Sequence, residues 1–154
     1  MFRTFVGVAS TSLVVVYAIG AGRWVSTDAG WYRSLIRPPW QPPDVVFGVI
    51  WPYNFLMLVV AGWLVAGRSP RVEQIAWLVF LALSITAALA WARLFYVPHE
   101  LTASGFALAA ATVFTVPLVV LAVRASVPVG TALIVYLGWL AIATSLAFGY
   151  ASRN

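Results

Sequence analysis

The charges along this chain are spaced so that five long stretches, 4–22, 45–67, 74–92, 101–123 and 125–152, carry no Asp, Glu, Lys or Arg. Apolar residues fill these stretches almost continuously. A helix needs about 20 residues to cross a hydrocarbon layer of ~30 Å, and each stretch is that long. The pattern therefore predicts membrane-crossing helices over about 4–22, 45–67, 74–92, 101–123 and 127–150. Isolated strands would leave backbone groups unpaired in lipid. The strands of an outer-membrane barrel would alternate apolar and polar positions, and these stretches do not. The expected fold is an all-α integral membrane protein forming one domain over 1–154. Its five transmembrane helices are joined by a long proline- and Trp-rich loop between the first and the second.

The polar punctuation predicts the connections. Residues 68–73, with Pro70, form a tight turn; 93–100 contain Pro98; 124–128 are barely a loop, so the fourth and fifth spans should be antiparallel neighbours. The long link is 23–44. Within it, 30–36 suits a short interfacial helix that the following prolines stop, and Asp44 suits the cap of the second span. Pro52 and Pro117 fall inside spans, where a kink or a loosened turn is expected. The first span also has the look of a signal peptide, with Arg3 ahead of an apolar run and small residues at Ala18, Gly20 and Ala21. Its apolar stretch is longer than a usual signal core, which favours a retained helix.

Composition agrees with the pattern. Of 154 residues, 63% are hydrophobic and 8% charged, more apolar surface than a soluble domain of this size can cover. All nine basic residues are Arg, set mostly at the ends of apolar runs, and the net charge of +5 reads as interfacial anchoring to lipid rather than nucleic-acid binding. Arg3, Arg68, Arg71 and Arg124 fall on one side and Arg23, Arg33, Arg37, Arg93 and Arg153 on the other, a balance that sets no orientation. Cysteine is absent and His99 is the single histidine, which removes thiol chemistry and leaves His99 and Glu100 far short of a metal site or triad. No catalytic residue and no metal ligand is expected. No span interior carries an ionisable residue of the kind that marks ion paths, which argues against an ion-translocating machine.

The densest chemistry lies in 31–51, W-Y-R-S-L-I-R-P-P-W-Q-P-P-D-V-V-F-G-V-I-W. Pro38, Pro39, Pro42 and Pro43 fix φ and hold their neighbours out of the helical region. The segment should be a stiff cover that sets Trp31, Tyr32 and Trp40 in fixed directions. Phe47, Trp51 and Phe55 recur every four residues and so share one helix face. That stripe serves either helix packing or the wall of an apolar pocket. Trp91 and Phe95 are again four apart, with Trp91 suited to a pocket and Tyr96 to an interfacial aromatic belt. Trp139, Ala143 and Ala147 follow one another at i+4, the small residues leaving room either for a ligand or for a close helix neighbour.

The motif W-Y-x-x-L-x-x-P-x-W-x-P-P, followed by x-x-x-F-x-x-x-W, resembles the tryptophan-rich sensory protein family of bacteria, whose mitochondrial relatives are the translocator protein or peripheral benzodiazepine receptor. The segments around Trp91-x3-Phe95 and Tyr136-Leu-x-Trp139 resemble the family's third and fifth helices. The resemblance implies a multi-pass protein of a bacterial cell membrane that acts as a receptor or sensor. It implies binding of flat apolar ligands, porphyrins and other haem-type tetrapyrroles first, with sterols and benzodiazepine-type drugs also known in the family. No cofactor is required for that role. Transport of such ligands, their light-dependent degradation, or a structural partnership with other membrane proteins are alternative roles.

Carried over position by position, the resemblance assigns ligand contact to Trp31, Tyr32, Trp40, Pro42, Pro43, Phe47, Trp51, Phe55, Ala88, Trp91, Phe95, Trp139, Ala143 and Ala147. Leu146, Tyr150 and Arg153 fit a loose sterol-contact pattern, although Tyr150 and Arg153 are more simply interfacial anchors. Arg33 and Arg37 suit either the propionates of a tetrapyrrole or lipid phosphate. Ala88 and Ala147 stand where the family usually has Asn, so the pocket here should be more apolar, and the two positions are expected to face each other. The family forms homodimers, and the small-residue rows Ala82, Thr86, Ala90 and Ala103, Ala107, Ala111 suit such contact or contacts within the bundle.

Overall fold

The computed structural model describes residues 1–25 and 27–154. The described residues form α1 (Phe2–Val25), α2 (Ala29–Ser34), α3 (Asp44–Arg68), α4 (Arg71–Tyr96), α5 (Leu101–Ala125) and α6 (Val127–Ala151), with no strand among them. All but α2 are long and apolar enough to cross a membrane. α1, α3, α4 and α5 overrun their charge-free stretches, with Arg3, Arg23, Arg68, Arg71, Arg93 and Arg124 in helical turns rather than beyond them, while α6 stays within its own. The backbone keeps its own hydrogen bonds into the interface, and the long Arg stems carry their charge out to the headgroups.

The five long helices close into a ring. α1 packs on α3 and α4, α3 on α6, α6 on α5, and α5 on α4; the α5–α6 pair, joined through Ser126 alone, has the most extensive contact. Close approach is built from small residues. A Cβ on Gly130 would overlap the backbone of Val123, and one on Gly62 would lie 2.7 Å from Ser10 Cβ. Short hydroxyl side chains then tie the helices laterally. Trp77 Nε1 donates to Ser10 Oγ over 3.1 Å, and Ser84 and Thr115 hydroxyls lie 2.9 Å apart, as do those of Thr112 and Thr144 at 3.1 Å. Each of these Ser and Thr residues except Ser84 also lies within hydrogen-bond reach of the carbonyl four residues back, so each of these hydroxyls has a partner in the apolar interior. Ala111 sits inside the bundle, while Ala103 and Thr86 are exposed and Ala82, Ala90 and Ala107 are half-buried.

Two local expectations change. Asp44 does not cap α3; Pro43 occupies that position and makes no side-chain cap, and Asp44 is the first helical residue. There its carboxylate still suits the positive end of the helix dipole, and it pairs with Arg37 at 3.6 Å. The capping acid is Asp28, whose Oδ1 accepts from Trp31 N at 2.9 Å and starts α2. The expected helix at 30–36 is thus Ala29–Ser34. Pro52 and Pro117 lie within α3 and α5, and both helices run through them unbroken.

The α5–α6 contact yields a prediction. Gly130→Ala should destabilise the fold by about 1–3 kcal/mol, because Val123 backbone cannot yield to the added methyl. Gly138→Ala, where a Cβ meets only open space, should be neutral. Thermal unfolding of the two variants in detergent checks this.

Candidate functional site

A cavity of about 450 Å³ opens at the end of the ring where α1, α4 and α6 finish and α3 begins. Its walls are Ala18, Ala21, Gly22 and Val25 of α1; Asp44, Phe47, Trp51 and Phe55 of α3; Trp91, Phe95 and Tyr96 of α4; and Trp139, Ala143, Leu146, Ala147 and Tyr150 of α6. Tyr32 of α2 and Gln41 complete it, and among the described residues α5 supplies nothing. One wall is therefore small-residued and three are aromatic, which is why a hollow persists where four helices meet.

The rings support one another. Trp51 and Trp91 are nearly parallel, 19° apart with centroids at 6.4 Å, and Trp139 stands perpendicular to Trp51 at the same separation. Phe47 meets Trp139 edge-on at 5.0 Å. Behind them Tyr17, fully buried, sets its ring edge-on to Trp51 and Phe55 at 6.0 and 5.2 Å. Such T-shaped contacts hold an indole in one orientation. The stripe Phe47, Trp51, Phe55 does face the cavity, as do Trp91, Phe95, Trp139, Ala143 and Ala147.

The mouth is polar and tied shut. Gln41 Nε2 donates to Tyr32 Oη over 3.4 Å, Tyr32 Oη and Tyr150 Oη are 3.3 Å apart, and Tyr150 Oη donates to Gln41 Oε1. With the Tyr32 proton directed at Tyr150, these contacts close a cycle in which every donor has an acceptor. The proline segment is also buttoned to the end of α6. Ile36 N donates to Asn154 Oδ1 at 2.8 Å and Asn154 Nδ2 returns a bond to Ile36 O at 3.2 Å. Trp40 Nε1 donates to Ser145 Oγ at 3.3 Å, and the Arg153 guanidinium lies 4.8 Å above the Trp40 ring. Gly149 makes this seat possible, since a Cβ there would stand 2.8 Å from Trp40 and 2.9 Å from Pro38.

Several expected contacts fall elsewhere. Trp31, Trp40, Pro42 and Pro43 belong to the cover but not to the cavity wall. Trp40 is half exposed on the α6 side, and Trp31 packs on Phe95 and His99. Ala88 is fully buried in the core and does not reach the cavity, so it does not share a cavity surface with Ala147. Tyr96 is no belt residue: it is 8% exposed and lines the cavity. Tyr150 likewise turns inward with Leu146, while Arg153 stays outside on Trp40 and bonds Gly149 O at 3.0 Å. Arg33 bonds Ala29 O at 3.0 Å and Arg37 faces Asp44, the one charged residue on the cavity wall among those described. Gln41, Asp44 and the α1 face were missed as site residues. Ala18, Ala21, Gly22 and Val25 follow the i, i+3, i+4, i+7 rule, a signal that was present.

The chemistry on offer is stacking and desolvation. No acid–base pair converges on the space, and among the described residues no group of three His, Cys, Asp or Glu gathers to hold a metal.

Two predictions follow from this geometry. Tyr150→Phe removes the donor to Gln41 and should weaken the cover by about 1 kcal/mol, seen as faster amide exchange of 35–43. Ala88→Asn forces an amide into closed packing and should lower the unfolding midpoint, whereas Ala147→Asn opens onto the cavity and should leave stability near wild type. Thermal unfolding of both variants and of their combination checks the second, with additive effects expected.

Comparison with known proteins adds the lineage. The chain is 29% identical over 98 residues to Protein CrtK of Rhodobacter capsulatus, covering 60% of this chain and 61% of that protein. It is 28% identical over 86 residues to Tryptophan-rich protein TspO of Chlorobaculum tepidum, covering 54% of each. The matched part thus spans less than two thirds of either relative. Both are bacterial, which points to a cell membrane as the lipid host. The model of the TspO/MBR family matches residues 10–153, nearly the whole chain, and this multi-pass membrane protein belongs to that family.

Proposed function

We propose that the protein is a membrane receptor for flat apolar ligands, with porphyrins and related tetrapyrroles the best fit, and that it binds them in the capped cavity. The observation that carries the reading is the wall itself: three indoles and three phenyl rings, held largely by edge-on contacts, around about 450 Å³ of space. Small-molecule sites commonly measure about 300–1,000 Å³ and are mostly apolar with a few polar groups at one end. Here those groups are Tyr32, Gln41, Asp44 and Tyr150 at the mouth. A planar π-system gains both from leaving water and from contact with ring faces and edges. A propionate at the mouth would find Arg37 beside Asp44. Sterols and benzodiazepine-type drugs are secondary candidates for the same space.

Reception is favoured over passage by what lies beyond the cavity. Among the described residues, Leu58, Leu81, Leu108, Leu118 and Leu140 are all fully buried and form no part of the cavity wall. These side chains are closed packing rather than cavity wall.

Titration of the protein in lipid nanodiscs with protoporphyrin IX should quench tryptophan emission saturably. Trp51→Ala and Trp139→Ala should each weaken binding by about tenfold to a hundredfold. Unchanged emission up to the solubility limit, or wild-type affinity in both variants, would overturn the reading.

A further inference from the structure

Asp28, Trp31 and His99 form a cluster beside the cavity that the binding site does not use. The Trp31 indole lies flat on the His99 imidazole, with centroids 3.7 Å apart and planes 13° apart. Asp28 Oδ2 lies 4.0 Å from His99 Nε2, while its Oδ1 caps the helix that carries Trp31. Trp31 in turn packs edge-on against Phe95 of the cavity wall at 5.5 Å. One imidazole therefore touches both the ring and the carboxylate that set the position of α2.

The histidine is held from its own side. His99 has φ of 60°, in the left-handed region, where His is one of the more tolerated residues. The turn around it is fixed by Glu100 N to Leu94 O at 2.9 Å and Leu101 N to His99 O at 3.0 Å. A change of charge on this ring thus acts on the cover rather than on the ring's own placement. On the other side of the contact, Thr27 Oγ1 reaches Tyr96 O at 3.3 Å, Tyr32 packs on Phe95, Tyr96 and Tyr150, and Ser34 and Arg33 bond only within α2 and its start.

We propose that Asp28, Trp31 and His99 are a proton-controlled latch for the cover of the cavity. Imidazole is the side chain whose charge changes between about pH 5 and 8. When His99 is protonated, Trp31 presents its π face to a cation and Asp28 becomes a full ion-pair partner. Both attractions pull α2 onto the α4–α5 turn. When the proton leaves, the ion pair vanishes and the cation–π contact becomes a neutral stack. The latch is strongest below the imidazole titration and weakens as pH rises through it. Among charged neighbours, Asp28 faces the ring from the start of α2, Glu100 follows it at the start of α5, and Arg93 lies on the last turn of α4.

The test separates the latch from the ligand reading on which its functional consequence rests. Fluorotryptophan incorporated into the protein in nanodiscs gives a resonance for Trp31, assigned by its loss in Trp31→Phe. That resonance should titrate between about pH 5 and 8. Amide protection of 27–43, corrected for intrinsic exchange and referenced to α5, should be about threefold to tenfold higher at about pH 5.5 than at about pH 7.5. His99→Asn keeps a residue that tolerates positive φ but cannot titrate, and Asp28→Asn keeps a competent helix cap without the charge. His99→Asn should abolish the pH dependence and Asp28→Asn should reduce it. A flat wild-type profile, or a His99→Asn profile that still follows pH, would overturn the latch. Dissociation of protoporphyrin IX dimethyl ester, which has no free carboxylate, should slow at acid pH by the same factor as the protection rises. Titration of Trp31 without any binding of the ester would leave the latch standing and remove the receptor reading instead.

Discussion

A backbone inside hydrocarbon has no solvent with which to exchange hydrogen bonds, and every other property of this molecule adjusts to that fact. The five long helices satisfy their own amides, and four of them overrun their charge-free stretches to do so. Lateral cohesion must then come from contact rather than from expulsion of water, because lipid tails are as apolar as the side chains that meet them. Gly62 under Ser10, Gly130 against Val123 and the Ser84–Thr115 pair are what that requirement looks like here. Irregular backbone is confined to the helix ends. Where it is longest, at 35–43, Ile36 finds both of its partners in the side chain of Asn154.

The cavity follows from an imbalance in side-chain size at one end of the ring. α3, α4 and α6 bring Trp, Phe and Tyr, while α1 brings Ala18, Ala21 and Gly22. Large rings cannot interdigitate with one another as aliphatic chains do, so they lean edge to face and leave a hollow. Tyr17 shows how the hollow is kept from collapsing: it is the one large ring of α1 in the cluster, and it braces Trp51 and Phe55 from outside the cavity. The cover then works as two halves. One half, at Trp40, is anchored on α6 by a hydrogen bond and a cation–π contact; the other, at Trp31, rests on the rings of His99 and Phe95.

The architecture was largely legible in the sequence because charge placement alone separates the spans. Side-chain direction was legible where periodicity spoke: Phe47, Trp51 and Phe55 lie on one face because they are four apart, and that face turns inward. It was not legible where a residue sits at a helix end. Tyr96 and Tyr150 have the composition of interfacial anchors, yet both turn inward because α2 and Gln41 cover that end and give them ring and hydroxyl partners. Trp31 and Trp40 read as pocket residues because the proline motif is conspicuous, but a motif does not say which side of a cover its indoles take. Ala88 illustrates the same limit, since a position carried over by resemblance has no direction until neighbouring helices fix it. Asp44 reads as the cap of α3 and is instead its first residue, while Asp28 caps α2, because only local backbone decides which acid reaches an N–H.

That α5 lends no side chain to the cavity has a consequence for how this protein can change. The helix is braced by α4 on one flank and α6 on the other, and its interior residues carry much of the core. Substitutions there tune the rigidity of the scaffold while leaving the cavity lining chemically untouched. The packing of α5 can thus be altered by natural drift or by an engineer without changing the chemistry of the cavity wall.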